Sequence, residues 1–379
     1  MQVRGKYAEA RIFAQDVDPG AREQIKNFLD HPAFDGAKVR IMPDVHAGKG
    51  AVIGFTAPLS DKVIPNVVGV DIGCGVSAWA LPSPPDCARL DAYVRKHIPC
   101  GHGVHASPAA GIEAVYESLN VKRSHATFIN RVKDICREQH QDHERVIRSL
   151  GSLGGGNHFI EVDADEDGQH WLIIHSGSRN FGLKIAGWHQ DIAVQLCGRQ
   201  GGMEWLDGEQ AKAYCADMQT AQLYARLNRH LMGYILLKGF FNLRPARVEA
   251  VESVHNYISF EDDIIRKGAI SAHHGERVII PLHMAAGCVL GEGLGNGDWN
   301  YSAPHGAGRR MSRSQARKKI SLHDFSHDMK QAGVWSSCIG KNTLDEAPDA
   351  YKNPGVILKE MAPTVRITNR LKPVYNFKG

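Results

Sequence analysis

The stretch Gly69-Val70-Asp71-Ile72-Gly73-Cys74-Gly75 follows the apolar run 63–68 and reads as a glycine-rich turn at a strand end. It sets a carboxylate and a thiol three residues apart. A thiol is a poor neighbour for a carboxylate unless a cation lies between them, because metal binding ionises the thiol and draws both groups in. The glycines let the backbone bend so that the two side chains converge. Taken alone, a turn aspartate beside a buried cysteine is the better reading, and the remaining sequence has to decide.

Around this turn, residues 36–80 alternate short β-rich runs (37–42, 51–55, 62–68 and 76–81) with glycine turns, which predicts strands of a sheet. The pattern becomes helical and polar over 108–150, then returns to strands at 157–162 and 171–175 across an acidic turn at 163–168. Residues 209–240 predict a strong helix, with Ala213, Ala216, Met218, Leu223, Leu227, Leu231, Tyr234 and Ile235 on one apolar stripe. With a shorter helix near 183–197 it forms an expected helical insertion at about 184–245 between two strand-rich halves. Further strands are expected at 251–257, 269–272 and 278–281, a helical stretch at 313–331, and a short β tail at 374–377. Distant strand groups must meet to assemble one site, so we expect a single mixed α+β domain over residues 1–379.

Composition narrows the class. A chain of 379 residues with 43% hydrophobic and 23% charged residues buries a substantial core and is ordinary for a soluble globular protein. No apolar run reaches bilayer length, and the first six residues lack the apolar segment of a signal peptide, so a cytoplasmic protein with no membrane partner is expected. Eight cysteines lie at 74, 87, 100, 136, 197, 215, 288 and 338 without a C-x-x-C pair, which fits reduced, mostly buried thiols. The net charge of +4 neither demands nor excludes a nucleic-acid partner. Nothing specifies an oligomer, and a monomer is expected.

Four histidines sit beside glycine or asparagine at predicted strand ends or loops: Asn157-His158 after Gly154–Gly156, His175-Ser176-Gly177-Ser178-Arg179, His255-Asn256, and His305-Gly306-Ala307-Gly308-Arg309. With 20 histidines in the chain, any one alone signals a hydrogen-bonded structural residue more often than a ligand. Small neighbours leave room for a ligand at each of the four. Asp71, Cys74, His158, His175 and His255 together offer O, S and N donors, more than one ion needs, and a thiolate can bridge two ions. Such a set suits Mn, Fe, Co or Zn rather than Mg or Ca, and bare affinity order would favour Zn over Mn. The basic segment 309–319 follows His305, with Ser312 as a helix cap. A solvated helix face is the better reading for Arg317, Lys318 and Lys319, whereas Arg309, within the loop, and Arg179, in the sibling loop, are phosphate candidates.

Taken together, these motifs resemble the RtcB family of RNA ligases. The matching segments are MPDVHAGKG (42–50), GVDIGCGV (69–76), GGGNHFIEV (154–162), HSGSRNFG (175–182), VHNY (254–257), RKGAISA (266–272), HGAGRRMSR (305–313), AYK (350–352) and terminal Lys378-Gly379. They keep family order and span nearly the whole chain, which makes the resemblance specific.

The resemblance implies an RtcB-like mixed fold and a GTP- and Mn²⁺-dependent ligase working in RNA repair or tRNA processing. Such an enzyme joins RNA 3′-phosphate or 2′,3′-cyclic phosphate ends to 5′-hydroxyl ends through a covalent histidine–GMP. By the family's motifs, His305 is the nucleophile and Cys74 bridges two Mn²⁺ ions. Asp71 and His158 complete one metal site, and His175 and His255 the other. Asn157 contacts a phosphate; Glu161, Tyr351 and Lys378 contact the guanine; Arg309 and Asp44 lie by the nucleotide, Asp44 in a supporting role. Whether an activating protein factor is needed stays open.

One departure stands out. The family usually carries Pro-Gly-Ser-Met-Gly and a second serine where this chain has Pro281-Leu282-His283-Met284-Ala285-Ala286-Gly287-Cys288. His283 and Cys288 thus replace two nucleotide-contacting serines, which puts strict GTP preference in question and fits a divergent paralogue. The same ligands would also serve a binuclear metal-dependent RNA phosphatase or cyclic phosphodiesterase, which needs the metals but not His305. A non-catalytic RNA- or nucleotide-binding protein would need neither.

Overall fold

The computed structural model describes residues 1–48 and 50–379; Lys49, within the 42–50 motif, lies outside the described residues. Two large sheets organise the chain. One has seven strands in the order Arg277–Pro281, Cys288–Gly293, Val365–Lys378, Phe159–Ala164, His170–Ser176, Gly75–Leu81 and Ala250–Val254, each pair antiparallel. Its two edges curl towards each other, and Ile279 N–H donates to Ser253 Oγ at 2.9 Å across the gap. The second has six strands: Gln2–Arg4, Glu9–Ile12, Lys38–His46, Ile53–Pro58, Ile264–Lys267 and Asn256–Ser259. A two-stranded sheet pairs Ala269–Ser271 with Ser302–Pro304.

Side-chain alternation gives the curled sheet two faces. Ile160, Val162, Leu172, Ile174, Trp79 and Leu81 point outward, into a cluster completed by Met232, Leu236 and Leu237 of the Gly208–Gly239 helix. The opposite parity (Phe159, Trp171, Ile173, Val76, Ala78, Leu290, Leu371) fills the interior of the curl. Glu161, Asp163, His175 and Cys288 share that inward parity, so the sheet carries ionisable groups inside its own barrel-like core.

The strands expected at 37–42, 76–81, 157–162, 171–175 and 278–281 all form, within a few residues of the expected bounds. The run 62–68 is a correction: Pro65 occupies the first turn of a short helix, Pro65–Val68, where its fixed φ and missing N–H suit helix initiation better than a sheet. The 313–331 stretch splits into Arg313–Lys319 and Leu322–Gln331, because Ile320 closes the first helix and Ser321, the next residue, caps the second; Ser312 caps the first as expected. The tail is a 14-residue central strand, Val365–Lys378, rather than 374–377. The long helix forms as Gly208–Gly239, preceded by Arg179–Cys197, but Ala213 and Ala216 of the expected stripe are exposed. The buried face instead carries Asp217, Asn228 and Arg229 among its apolar residues.

This helix touches the sheet closely at Gly233, where a Cβ would lie 2.7 Å from Trp79 Cη2. Gly233→Ala gains about 1 kcal/mol of helix propensity but overpacks against a buried indole at about 1–3 kcal/mol. The net expectation is a lower denaturant midpoint, by about 1 kcal/mol, in equilibrium unfolding. An unchanged or raised midpoint would show that the indole yields.

Candidate active site

The two large sheets meet at a single residue. Ala250–Val254 is an edge of the seven-stranded sheet and Asn256–Ser259 an edge of the six-stranded one, and His255 alone joins them. Cys74 immediately precedes Gly75–Leu81, His158 immediately precedes Phe159–Ala164, and His175 lies at the end of His170–Ser176, so strand ends deliver all four to one place. Two glycines make the approach possible. A Cβ on Gly177 would lie 2.1 Å from Asp71 Oδ1, and Gly73 adopts φ +68° where a Cβ would meet the long helix backbone at Gln222 Cα, 2.9 Å away.

The donor atoms converge. Asp71 Oδ2 lies 3.0 Å from His158 Nε2, Cys74 Sγ lies 3.6 Å from His158 Nε2 and 3.3 Å from His175 Nε2, and His175 Nε2 lies 3.3 Å from His255 Nε2. Backbone carbonyls fix which ring nitrogens point inward. His158 Nδ1 is 2.9 Å from Leu153 O and His175 Nδ1 is 3.2 Å from Asn157 O; only a protonated nitrogen suits a carbonyl, so Nδ1 carries a proton in both rings and Nε2 faces the cluster. Burial, reinforced by neighbouring positive groups, holds His175 and His255 well below the ordinary histidine range, so both rings are neutral. Burial and the Asp71 carboxylate push the Cys74 thiol well above its usual value. Burial alone would raise Asp71, but its bond to His158 outweighs that and holds it at about 2.

A carboxylate, a sulfur and imidazole lone pairs facing one another need a cation. Bonds of about 2.0–2.3 Å at tetrahedral angles place neighbouring donors about 3.3–3.8 Å apart, close to the spacings seen here. Cys74, His175 and His255 form one compact donor group, and Asp71, Cys74 and His158 a second that shares the sulfur. The residues therefore fit a metal pair with a bridging thiolate.

Asp71, Cys74, His175 and His255 form one wall of a cavity of about 710 Å³, also lined by Asn157, Glu161, His305, Arg309, Tyr351 and Lys378. His305 follows the strand Ser302–Pro304, and its ring lies 4.8 Å from that of His255. Its Nδ1 and its backbone N–H both reach Asp44 Oδ2, at 2.6 and 3.2 Å. Asp44 is fully buried in Lys38–His46 and stands behind the histidine. Nε2 is thereby left to the cavity.

Sequence reading overlooked Glu346, which organises the opposite wall. This buried carboxylate accepts from Tyr351 OH at 2.7 Å and Lys378 Nζ at 3.0 Å, and it pairs with Arg309 and Arg313 at 3.4 and 3.1 Å. Neighbouring Asp345 pairs with Arg313 and with Arg317, which keeps the exposed position expected of it while making that ion pair. No motif marked either acid: in sequence they are an ordinary acidic pair in a loop. Glu161 receives Asn376 Nδ2 and the Cys288 thiol, while both Asp163 oxygens are buried without a donor. Burial, with the Glu161 carboxylate beside it, pushes the Asp163 carboxyl well above the ordinary aspartate range. His283 lines the cavity and burial lowers it to about 4, so it presents a neutral ring. Arg179 is turned away from this cavity; its guanidinium donates to Gly101 O and Ser152 Oγ at 2.9 and 3.2 Å.

Burial raises the Glu346 carboxyl, but Lys378, Arg313 and its other partners outweigh that and hold it below the ordinary glutamate value. A depressed folded value stabilises the fold above the unfolded value of about 4.3, and that stability is lost as pH falls through the folded value. Glu346→Gln should therefore be destabilised at pH 7, by about 3 kcal/mol for a broken buried pair. The gap between it and the unaltered chain should narrow on acidification in urea melts, and a gap constant with pH would contradict the assignment.

The chain is similar to known proteins over most of its length. A family model described as tRNA-splicing ligase RtcB matches residues 24–379. RNA-splicing ligase RtcB of Escherichia coli K12 is 31% identical over 410 residues, covering 96% of this chain and 95% of that protein. RNA-splicing ligase RtcB2 of Escherichia coli ATCC 25922 is 27% identical, and tRNA-splicing ligase RtcB of Nanoarchaeum equitans 26%, each over 89% of this chain and 87% of its own length. With the match running through every segment that builds the cavity, the chain belongs to the RtcB family.

Proposed function

We propose that this chain is an RNA ligase of RNA repair or tRNA splicing. It joins RNA 3′-phosphate or 2′,3′-cyclic phosphate ends to 5′-hydroxyl ends with GTP and a Mn²⁺ pair. Membership of a family whose relatives are named RNA- or tRNA-splicing ligases supports the class. The observation that carries the mechanism is His305, held by Asp44 with Nε2 facing the cavity, next to the convergent donor set.

In this reading Asp71 and His158 would hold one ion, His175 and His255 the other, and the Cys74 sulfur would serve both. Bound there, the pair would neutralise phosphate charge during in-line displacement. His305 Nε2 attacks the α-phosphorus of GTP; the P–N bond forms as the bond to pyrophosphate breaks, and pyrophosphate leaves. Nδ1–H stays bonded to Asp44, whose carboxylate offsets the positive charge that develops on the ring. Arg309, Tyr351, Lys378 and Glu161, which line the cavity, hold the nucleotide, with Asn157 at a phosphate near the metals. The GMP then passes to the RNA 3′-phosphate, and the 5′-hydroxyl displaces it.

Intact-mass measurement after incubation with Mn²⁺ and each of the four NTPs tests this directly. The unaltered chain should gain the mass of one GMP and His305→Ala none. Asp44→Asn should form the adduct on the order of 10²–10⁴-fold more slowly. An AMP adduct besides GMP would keep the mechanism and attribute relaxed base choice to His283 and Cys288. RNA-phosphate hydrolysis that survives in His305→Ala, with no adduct on the unaltered chain, would establish the phosphodiesterase instead.

A further inference from the structure

Arg229 is the largest fully buried side chain here, and it lies mid-way along the Gly208–Gly239 helix, outside the cavity. Its guanidinium is saturated. Nη1 donates to Gly73 O at 2.7 Å and Ser176 O at 3.0 Å; Nη2 donates to Glu252 Oε1 at 2.8 Å; Nε reaches Ser77 Oγ and the same Glu252 oxygen, both at 3.2 Å. Gly73 immediately precedes Cys74, Ser176 immediately follows His175, and Glu252 lies three residues before His255. One cation therefore ties together the segments that carry three of the convergent donors.

The preceding residue, Asn228, holds the fourth. Its Oδ1 accepts from Gly151 N–H at 2.8 Å and Ser152 N–H at 3.2 Å, while Nδ2 donates to Ser152 O, Ser176 Oγ and Gly177 O at 3.1–3.2 Å. Ser176 Oγ in turn donates to Leu153 O, the carbonyl that also takes His158 Nδ1. Gly177 is the residue against which Asp71 packs.

We infer that Asn228 and Arg229 are positioning residues for the metal pair: two consecutive helix residues whose hydrogen bonds set the separation of the turns bearing Asp71, Cys74, His158 and His175, and through Glu252 the strand bearing His255. This rests on the metal reading above. The planar fork of arginine matters, because it serves two carbonyls and a carboxylate at once, whereas a lysine ammonium is a point charge that cannot span all three. A ligand set assembled from separate strand ends binds an ion tightly only if the spacing between them is fixed before the ion arrives.

The test uses the full chain and Co²⁺ as a probe, read by its thiolate-to-cobalt absorption band and by the rise in melting temperature that Co²⁺ causes. Arg229→Lys and Glu252→Gln are compared with Leu236→Ala, a cavity in the same helix away from these turns. The positioning role predicts about tenfold weaker Co²⁺ affinity, an altered band and a smaller melting rise in Arg229→Lys. The same direction is expected in Glu252→Gln, which keeps its shape and serves if the lysine chain does not fold. Leu236→Ala should melt lower without metal yet bind Co²⁺ as the unaltered chain does. Affinities within threefold of the unaltered chain, with an unchanged band, in whichever of the two variants folds would overturn the inference while leaving the metal reading intact. No Co²⁺ binding by the unaltered chain would overturn both.

Discussion

The uncharged Nε2 atoms of His175 and His255, 3.3 Å apart, with the Cys74 sulfur 3.3 Å from the first, set the terms for this structure. Unshared electron pairs that face one another repel unless something positive lies between, so the surrounding chain has to hold them together. It does so through backbone carbonyls that select the ring tautomers, through glycines that admit the carboxylate, and through a helix that anchors the turns from behind. The cavity with His305 exists because those restraints leave its mouth open at the seam between the two sheets.

Much of this was legible in the sequence. Asp71 and Cys74 in their glycine turn, and the three histidines beside small residues, announced a shared site because their chemistry is specific and their neighbours are small. The order of the motifs carried the family. Strands were readable where apolar residues alternated or ran together, as at 76–81 and 171–175. What escaped depended on partners far away in sequence. Nothing local distinguishes Glu346 from a solvated loop acid, since its importance comes from Tyr351, Lys378, Arg309 and Arg313 meeting it in space. The long helix was recognised from its apolar spacing, but spacing cannot reveal that polar Asn228 and Arg229 belong to its buried face. The strand expected at 62–68 failed locally, because apolar content outweighed the plain signal of Pro65.

The interior of the curled sheet shows a related economy. Glu161, Asp163 and Cys288 point inward, where ions are costly, and burial beside the Glu161 carboxylate pushes the Asp163 carboxyl up, towards its neutral form. Lys378 and Arg309 pair with Glu346 in the wall opposite the convergent donors, so that wall sets cationic and acidic groups side by side. Such a wall distinguishes the ends of a polar ligand by charge as well as by shape.

The strand Val365–Lys378 lies at the centre of the seven-stranded sheet, between partners made long before it: Lys378 pairs with Phe159, and Asn376 with Glu161. During synthesis the chain must therefore hold an open sheet, its inward acids and unpaired strand edges exposed, until these residues leave the ribosome. Pairing across more than two hundred residues closes slowly and leaves partly built forms open to wrong contacts. Assembly of the cavity is for this reason a late, all-at-once event, and a chain still being made carries its ligand residues without the wall that would let them act on a nucleotide.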